Sequence, residues 1–332
     1  MAPLKLLTIT VPSYNMEKLL PNCLESCLYP GAEKDIEIIV VNDGSKDGTL
    51  TVAREYQSRY PDVISVIDKE NGGHGSGINA GIQNACGKYF KVLDADDWFD
   101  TASLQALVEV LRSTDAHMVT NSFVCVNART MKPSSPRSPI VGSLTEGEHD
   151  FSAAAPELLV RMHSVTWRTD ILRGNVEIDE HRFYVDMEYI SFPIPMVERV
   201  YVTQLPLYMY RLGDNGQSVS IASMQKHIDD HLTVMDNVLA YITAAEGVES
   251  RRSVLDYLNR LAAEMVANQC LIYLSYPASK GMKQKFIDLE NMLREKHPGV
   301  YEAVSHRAVL MLRKSRYTLF PLASLLVRLT RK

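Results

Sequence analysis

The chain has 332 residues, 46% of them hydrophobic and 8% aromatic, which is material for one large core or a core plus an appendage. Its formal net charge of −5 gives no global attraction to nucleic acid. There is no basic and apolar signal segment ahead of the first strand pattern and no run of about 18 apolar residues, so a cytoplasmic protein without a spanning helix is expected.

Leu6 to Val11 is an apolar, β-branched run that reads as a strand. Asn15 offers a helix cap, and Leu19, Leu20, Cys23, Leu24, Cys27 and Leu28 recur at helical spacing. Pro21 fits only the first turn of that helix. Ile36 to Val41 is apolar at nearly every position, as in a parallel strand covered on both faces. A helix over 49–60, a strand over Val63 to Ile67, a short helix from Gly77 to Ala85 and a strand from Tyr89 to Leu93 follow. Asp100 caps a helix running through Leu111, and Met118 to Val126 reads as one further strand. Residues 130–150, with Pro133, Pro136 and Pro139, read as a mobile loop. The core pattern resumes near Pro156 and includes a strand-like Val200 to Leu205. From about Ser223 the pattern is helical. This alternation predicts an α/β fold: a doubly wound, mostly parallel sheet flanked by helices, with a helical C-terminal extension and a boundary near residue 220. Ligands of such sheets bind beyond the carboxyl ends of the strands, where the polar clusters of this chain lie. The five cysteines, Cys23, Cys27, Cys86, Cys125 and Cys270, form no Cys-x-x-Cys pair and read as buried free thiols in a reducing compartment.

Five clusters carry candidate chemistry. Pro12-Ser13-Tyr14-Asn15 and Asn42-Asp43-Gly44-Ser45 follow the first two strands and would line a cleft in which Tyr14 stacks on a base and Asp43 accepts from a base N–H; ordinary turn chemistry explains the same residues. In Asn71-Gly72-Gly73-His74-Gly75-Ser76-Gly77, the glycines admit close backbone approach and the following helix start suits an anion, although no phosphate-loop ending is present. His74 reads as a loop residue or a catalyst. Asp94-Ala95-Asp96-Asp97 sets three carboxylates in four residues at a strand end, which repel one another unless a hard cation such as Mg²⁺ or Mn²⁺ is bound; a solvated acidic turn is the alternative. Asp186 sits in the apolar and aromatic run Phe183 to Tyr189, where a carboxylate can act as a general base or simply cap a helix.

In this order the stretches ITVPSYN, IEIIVVNDGSKDGT, NGGHGSGINAGI and GKYFKVLDADDWF resemble the family 2 glycosyltransferases of GT-A fold, closely over residues 5–100 and more thinly to about 220 through FYVDMEY and PLYMYRLGDNGQSVS. The resemblance implies a catalytic domain over 1–220 and a helical region over 221–332. It also implies transfer of one sugar with inversion from a nucleotide-sugar, a UDP-sugar by preference, to a glycan or lipid-linked acceptor in cell-surface synthesis. Pro12 and Tyr14 would form the nucleoside pocket, Asp43 would hold the base, and Asp94 and Asp96 would be the two acids of the Asp-x-Asp motif, Asp96 being the direct metal ligand. Asp97 would support the donor sugar or the ligand shell, and Asp186 would be the acceptor-activating base, with Glu188 as its neighbouring rival. Arg211 and the Gln217-Ser218 pair are candidates for diphosphate or acceptor contact, or for a structural role. The chain departs from the family in lacking the arginine that commonly follows the glycine loop, where Gly77-Ile78-Asn79 stands, and in having Val185-Asp186 for the usual Glu-Asp. No Gln-x-x-Arg-Trp segment of processive members is present. A nucleotidyltransferase and a non-catalytic sugar-nucleotide binder are the competing readings.

From Ser305 to Lys332 there is no acidic residue, while Arg307, Arg313, Lys314, Arg316, Arg328, Arg331 and Lys332 are interleaved with leucines. This basic, amphipathic stretch suits either peripheral contact with an anionic membrane or a helix packed on protein with solvated flanks.

Overall fold

The computed structural model describes residues 5–213, 220–278 and 281–330. The chain divides into two compact units, Met1–Asp214 and Asn215–Lys332. The Gln217-Ser218 pair lies outside the described residues.

Strands of the first unit are Leu7–Ser13 (β1), Ile36–Asp43 (β2), Ile64–Lys69 (β3), Tyr89–Val92 (β4), Trp98–Phe99 (β5), Met118–Thr120 (β6), Ser122–Asn127 (β7), Gly147–Asp150 (β8), Val165–Arg168 (β9), Arg199–Val202 (β10) and Pro206–Leu212 (β11). Among the described residues, eight of them form one sheet in the order β3-β2-β1-β4-β9-β6-β10-β8, and β5-β11-β7 form a second. β1 pairs in parallel with both β2 and β4, and β2 with β3. The chain winds outward from β1 to β3 and then returns to β4 on the other side of β1. That reversal opens a crevice at the carboxyl ends of β1 and β4. β9 runs antiparallel to β4 and β6, so the sheet is mixed beyond that point.

The apolar β2 run is buried as its pattern requires, and Ile38, Val40 and Ile9 join Leu20, Leu24, Leu104 and Leu107 in the core. Pro21 sits at the start of the helix Leu20–Ser26. Asp100 caps Thr101–Ser113 by accepting from Ser103 N at 2.8 Å. The helix expected from Gly77 begins three residues earlier, as His74–Asn84. The single strand expected over 118–126 is broken at Asn121, and its halves belong to different sheets. The break has a polar cause: the Asn121 side chain donates to Ser122 O and His163 O and accepts from Lys91 Nζ. Residues 130–150 are tied down where a mobile loop was expected, with Arg137 paired to Phe123, Pro133 to Val126, and β8 on the sheet edge. All five cysteines are free, but Cys86 is exposed instead of buried.

The second unit is helical throughout its described elements. The helix Arg252–Ser275 is its spine, buried along most of its length. Arg313 ties the final segments by pairing with the buried Glu290 at 2.6 Å while its guanidinium lies 3.7 Å from the Tyr301 ring centre. No helix among the described residues is long and apolar enough to cross a membrane.

The His74–Asn84 helix lies unusually close to β1 because Gly77 faces Pro12 and Gly81 faces Thr10. A Cβ at Gly81 would collide with the buried, β-branched Thr10 side chain. Gly81→Ala is therefore expected to destabilise the protein by about 1–3 kcal/mol through overpacking, read as a lowered urea midpoint with an unchanged m-value. An unchanged midpoint would contradict the close approach.

Candidate active site

The loops after β1 and β2 hold each other. Asn15 Oδ1 accepts from Lys46 N at 2.8 Å, Met16 N donates to Thr49 Oγ1 at 2.7 Å, and Gly48 N donates to Glu17 Oε2 at 3.1 Å. Asn15 takes a left-handed backbone (φ 56°) to make this turn. Tyr14 is left 46% exposed beside an open cleft of about 550 Å³ that is also lined by Gly44, Lys46, Asp68, Lys69, Glu70 and Asn71. Pro12 is buried against Gly77 and is not among the residues lining this cleft.

Asp43 is buried and its carboxylate faces inward to the glycine loop. Oδ1 accepts from Gly72 N at 2.8 Å, Lys69 Nζ at 3.0 Å and Ser76 Oγ at 3.2 Å; Oδ2 accepts from Gly73 N at 2.8 Å. A carboxylate has about four lone-pair sites, two on each oxygen, so Oδ2 keeps capacity for one further donor. Gly73 has φ +84°, and a Cβ there would approach the backbone of His181 at 3.2 Å. Asn79 continues the link to that segment by donating to Ile178 O and accepting from Ile178 N. The glycine loop and the strand of chain leading to Asp186 are thus one bonded assembly.

Beyond β4 the acids take different surroundings. Asp94 accepts a 2.7 Å contact from His74 Nε2. Burial works against the Asp94 carboxylate, but the charge and hydrogen bond of His74, with help from His163 and Tyr208, hold its titration below the ordinary value. The partner behaves reciprocally: burial pulls His74 down, and Asp94 outweighs it and raises it. Asp96 is half-buried, and burial followed by the Asp94 charge pushes it up to about 6. Asp97 is buried and is raised well above the carboxylate range by burial and by both neighbouring acids. Tyr208 holds this turn together, since its Oη accepts from Asp94 N at 3.1 Å and donates to Asp97 Oδ2 at 2.9 Å. Arg211 N donates to Asp97 Oδ1 at 2.7 Å, and Arg211 Nε donates to Asp96 O at 2.9 Å, with its guanidinium over Trp98.

Asp186 begins the helix Asp186–Ser191. Burial raises it to about 6, and the charge of Asp94 adds to the rise while that of His74 opposes it. Glu188 is buried, with Oε2 accepting from Asp179 N at 2.8 Å. Tyr184 (φ 68°) and His181 (φ 57°) hold left-handed backbones in the approach to Asp186.

The structure adds residues that no local pattern announced. Among the described residues, Asp94, Asp97 and His163 bring one ligand atom each within 4.8 Å of one another, a group from which Asp96 is absent. Burial lowers His163 to about 4, so its imidazole is neutral, and its Nδ1 has no hydrogen-bond partner. Its ring packs against Tyr210 at 4.2 Å and Tyr208 at 4.8 Å between centres. Beneath it lies Lys91, fully buried and lowered to about 7 by desolvation, donating to Asn121 Oδ1, Val165 O and His163 O. His163 stands in an apolar stretch about 70 residues downstream of the acids it meets, without a motif to flag it.

Residues 8–154 match the model described as glycosyl transferase family 2. The uncharacterized glycosyltransferase EpsJ of Bacillus subtilis (strain 168) is 31% identical over 239 residues, 68% of this chain and 66% of that protein. The chain belongs to glycosyltransferase family 2. The poly(ribitol-phosphate) beta-glucosyltransferase of Bacillus spizizenii is 26% identical over 267 residues, 76% of this family 2 chain and 40% of that enzyme. The chain therefore spans less than two thirds of these curated relatives. The solved structure of S. aureus TarS 1–349 superimposes with a TM-score of 0.61 at 18% identity, over 98% of this chain and 88% of that one; its complex with UDP-GlcNAc gives 0.60. The likeness establishes the GT-A fold for this family 2 transferase: a parallel-dominated sheet flanked by helices with a helical C-terminal region.

Tyr208→Phe keeps the ring and removes the hydroxyl that joins Asp94 to Asp97. Two buried polar groups lose a partner, so a loss of about 1–3 kcal/mol is expected, read by urea unfolding. A midpoint equal to that of the wild type would remove Tyr208 as the strut of the acidic turn.

Proposed function

We propose that this glycosyltransferase is inverting and metal-assisted, and that it moves one sugar from a UDP-sugar to a hydroxyl of a glycan or lipid-linked acceptor in polysaccharide or glycolipid synthesis at the cytoplasmic face. The observation that carries this reading is the crowding of Asp94, Asp96 and Asp97 at the end of β4, where Asp94, Asp97 and His163 each bring a ligand atom within 4.8 Å of one another. The UDP-GlcNAc complex of TarS and the glucosyl transfer named for the Bacillus spizizenii relative support the donor and acceptor classes.

The donor set fits a hard divalent cation. Carboxylate oxygens suit Mg²⁺ or Mn²⁺, and the neutral His163 imidazole is compatible with Mn²⁺. Asp96 and Asp94 would hold the ion by the Asp-x-Asp pattern, and Asp97 and His163 each bring a ligand atom within 4.8 Å of Asp94, in a group that does not include Asp96. When bound, the ion supplies charge neutralisation to the diphosphate.

Each residue then has a task. Tyr14 stacks on the base beside the cleft, and the spare Oδ2 site of Asp43 accepts from it. Asp43 also keeps the Gly72–Gly73 backbone in position. Arg211 fixes the orientation of Asp96 and Asp97 from the backbone side. Asp186 takes the proton from the acceptor hydroxyl; the oxygen forms a bond to the anomeric carbon as the bond to the donor phosphate oxygen breaks, and configuration inverts. Asp186 is favoured over Glu188 as the base because Glu188 is buried and already clamps Asp179.

Asp96→Ala and Asp186→Asn are each expected to lower turnover by about 10²-fold or more while the thermal midpoint stays near that of the wild type. Wild-type turnover in either variant would end that assignment. Because a carboxylate base works only when deprotonated, kcat/KM is expected to rise with pH through about 6, the raised value of Asp186, and to level off above it. A flat profile between pH 5 and 7, at about one unit either side, would contradict the role of Asp186. A thermal-shift comparison of nucleotide-sugars with Mn²⁺ and Mg²⁺ identifies the donor, since a ligand of the folded state raises its melting temperature by mass action. Nucleotide binding without sugar transfer would favour the non-catalytic reading.

A further inference from the structure

The last described helix, Phe320–Thr330, has two faces of different fate. Phe320, Ala323 and Ser324 are buried. Phe320 packs edge-on against Phe286 at 5.7 Å, and Ser324 Oγ donates to Tyr276 O at 2.7 Å. The opposite face carries Leu322, Leu325 and Leu329 at helical spacing, exposed by 51%, 46% and 58%, and Leu319 ahead of the helix continues the stripe at 38%. On the preceding helix, Arg307–Lys314, Leu310 and Met311 are also exposed, each by 37%. A row of half-exposed leucines on one face is more than the scattered apolar residues of an ordinary surface.

The charges along the segment that carries this stripe are of one sign. No acidic residue occurs between Ser305 and Lys332, and Arg307, Lys314 and Arg316 are exposed beside it. Arg313 is the exception, since it is taken up by Glu290. Arg328 is half-buried on the helix itself, with Arg331 and Lys332 following in the sequence. An apolar stripe with a basic rim matches an anionic bilayer, where leucines enter the acyl boundary and arginines and lysines meet headgroup phosphates. The same face on a second copy would set basic rim against basic rim.

We propose that this face is an interfacial membrane-docking surface, with Leu319, Leu322, Leu325 and Leu329 inserted into an anionic leaflet and Arg307, Lys314, Arg316 and Arg328 lying at its headgroups. It is a peripheral contact, and the stripe is too short to span a bilayer. The proposal stands apart from the sugar-transfer reading: a chain that failed to turn over any donor would still bind the surface.

The test is co-sedimentation of the full chain with vesicles of equimolar phosphatidylglycerol and phosphatidylcholine, and with vesicles of phosphatidylcholine alone. The protein is expected to partition to the anionic vesicles, with binding that falls as salt is added. Leu322→Ser combined with Leu325→Ser and Leu329→Ser is expected to weaken partitioning by about tenfold or more. Lys314→Glu combined with Arg316→Glu is expected to remove the preference for the anionic vesicles. All these side chains are exposed, so the variants should retain the wild-type melting temperature, which is measured alongside. Equal partitioning of the wild type and the leucine variant would overturn the proposal. So would an absence of wild-type binding, or indifference to lipid charge. A dimer in sedimentation velocity without lipid that the leucine variant abolishes would make a second copy the occupant, and the bilayer proposal would fall.

Discussion

Carboxylates that share one strand end raise one another's proton affinity, and the rest of this site is arranged around that repulsion. The protein compensates for part of it with its own groups. His74 Nε2 contacts Asp94 at 2.7 Å, and Tyr208 with the Arg211 backbone satisfies Asp97. Asp96 receives less help and stays raised to about 6 by burial and by the charge of Asp94. Under the proposed function, that uncompensated negative charge is what a divalent cation with an attached diphosphate would relieve. Lys91 lies directly beneath, and its bonds go to Asn121 and to the backbone of 163 and 165 instead of to the acids. It braces the turn that presents His163 and makes none of its hydrogen bonds to the acidic turn.

The glycine loop and the segment that leads to Asp186 are joined mechanically. Asp43, at the end of β2, grips the Gly72–Gly73 backbone; Gly73 and Asn79 in turn lie against 178–181, the stretch that leads into Asp186. A movement of the glycine loop would therefore be felt at Asp186. His74 stands at the junction, beginning the helix whose glycines let it settle on β1. Its pairing with Asp94 raises its titration against the opposing effect of burial.

Much of this was legible in the sequence because the chemistry sits in short segments at strand ends. The β2 run, the Asp100 cap and the Asp94–Asp97 cluster depend on local spacing, and local spacing survives in the fold. What was not legible depends on long-range encounters. His163 meets the acids only because β9 enters the sheet between β4 and β6, and the strand over 118–126 divides at Asn121 only because Lys91 and His163 supply bonds from elsewhere. Asp43 was expected to face a base; its neighbours instead turn most of its hydrogen-bonding capacity toward the glycine loop. The segment 130–150 looked like a loop by its prolines, yet its pairing with β7 and the β8 edge contact hold it.

The most direct test of the account is a crystal structure of the full chain with Mn²⁺ and a non-hydrolysable UDP-sugar, read by the anomalous signal of the metal. The account expects a manganese peak about 2.0–2.3 Å from a carboxylate oxygen of Asp96, bridging to the diphosphate, with the anomeric carbon turned toward Asp186. A diphosphate bound with no metal at the end of β4, or an anomeric carbon facing away from Asp186, would contradict it.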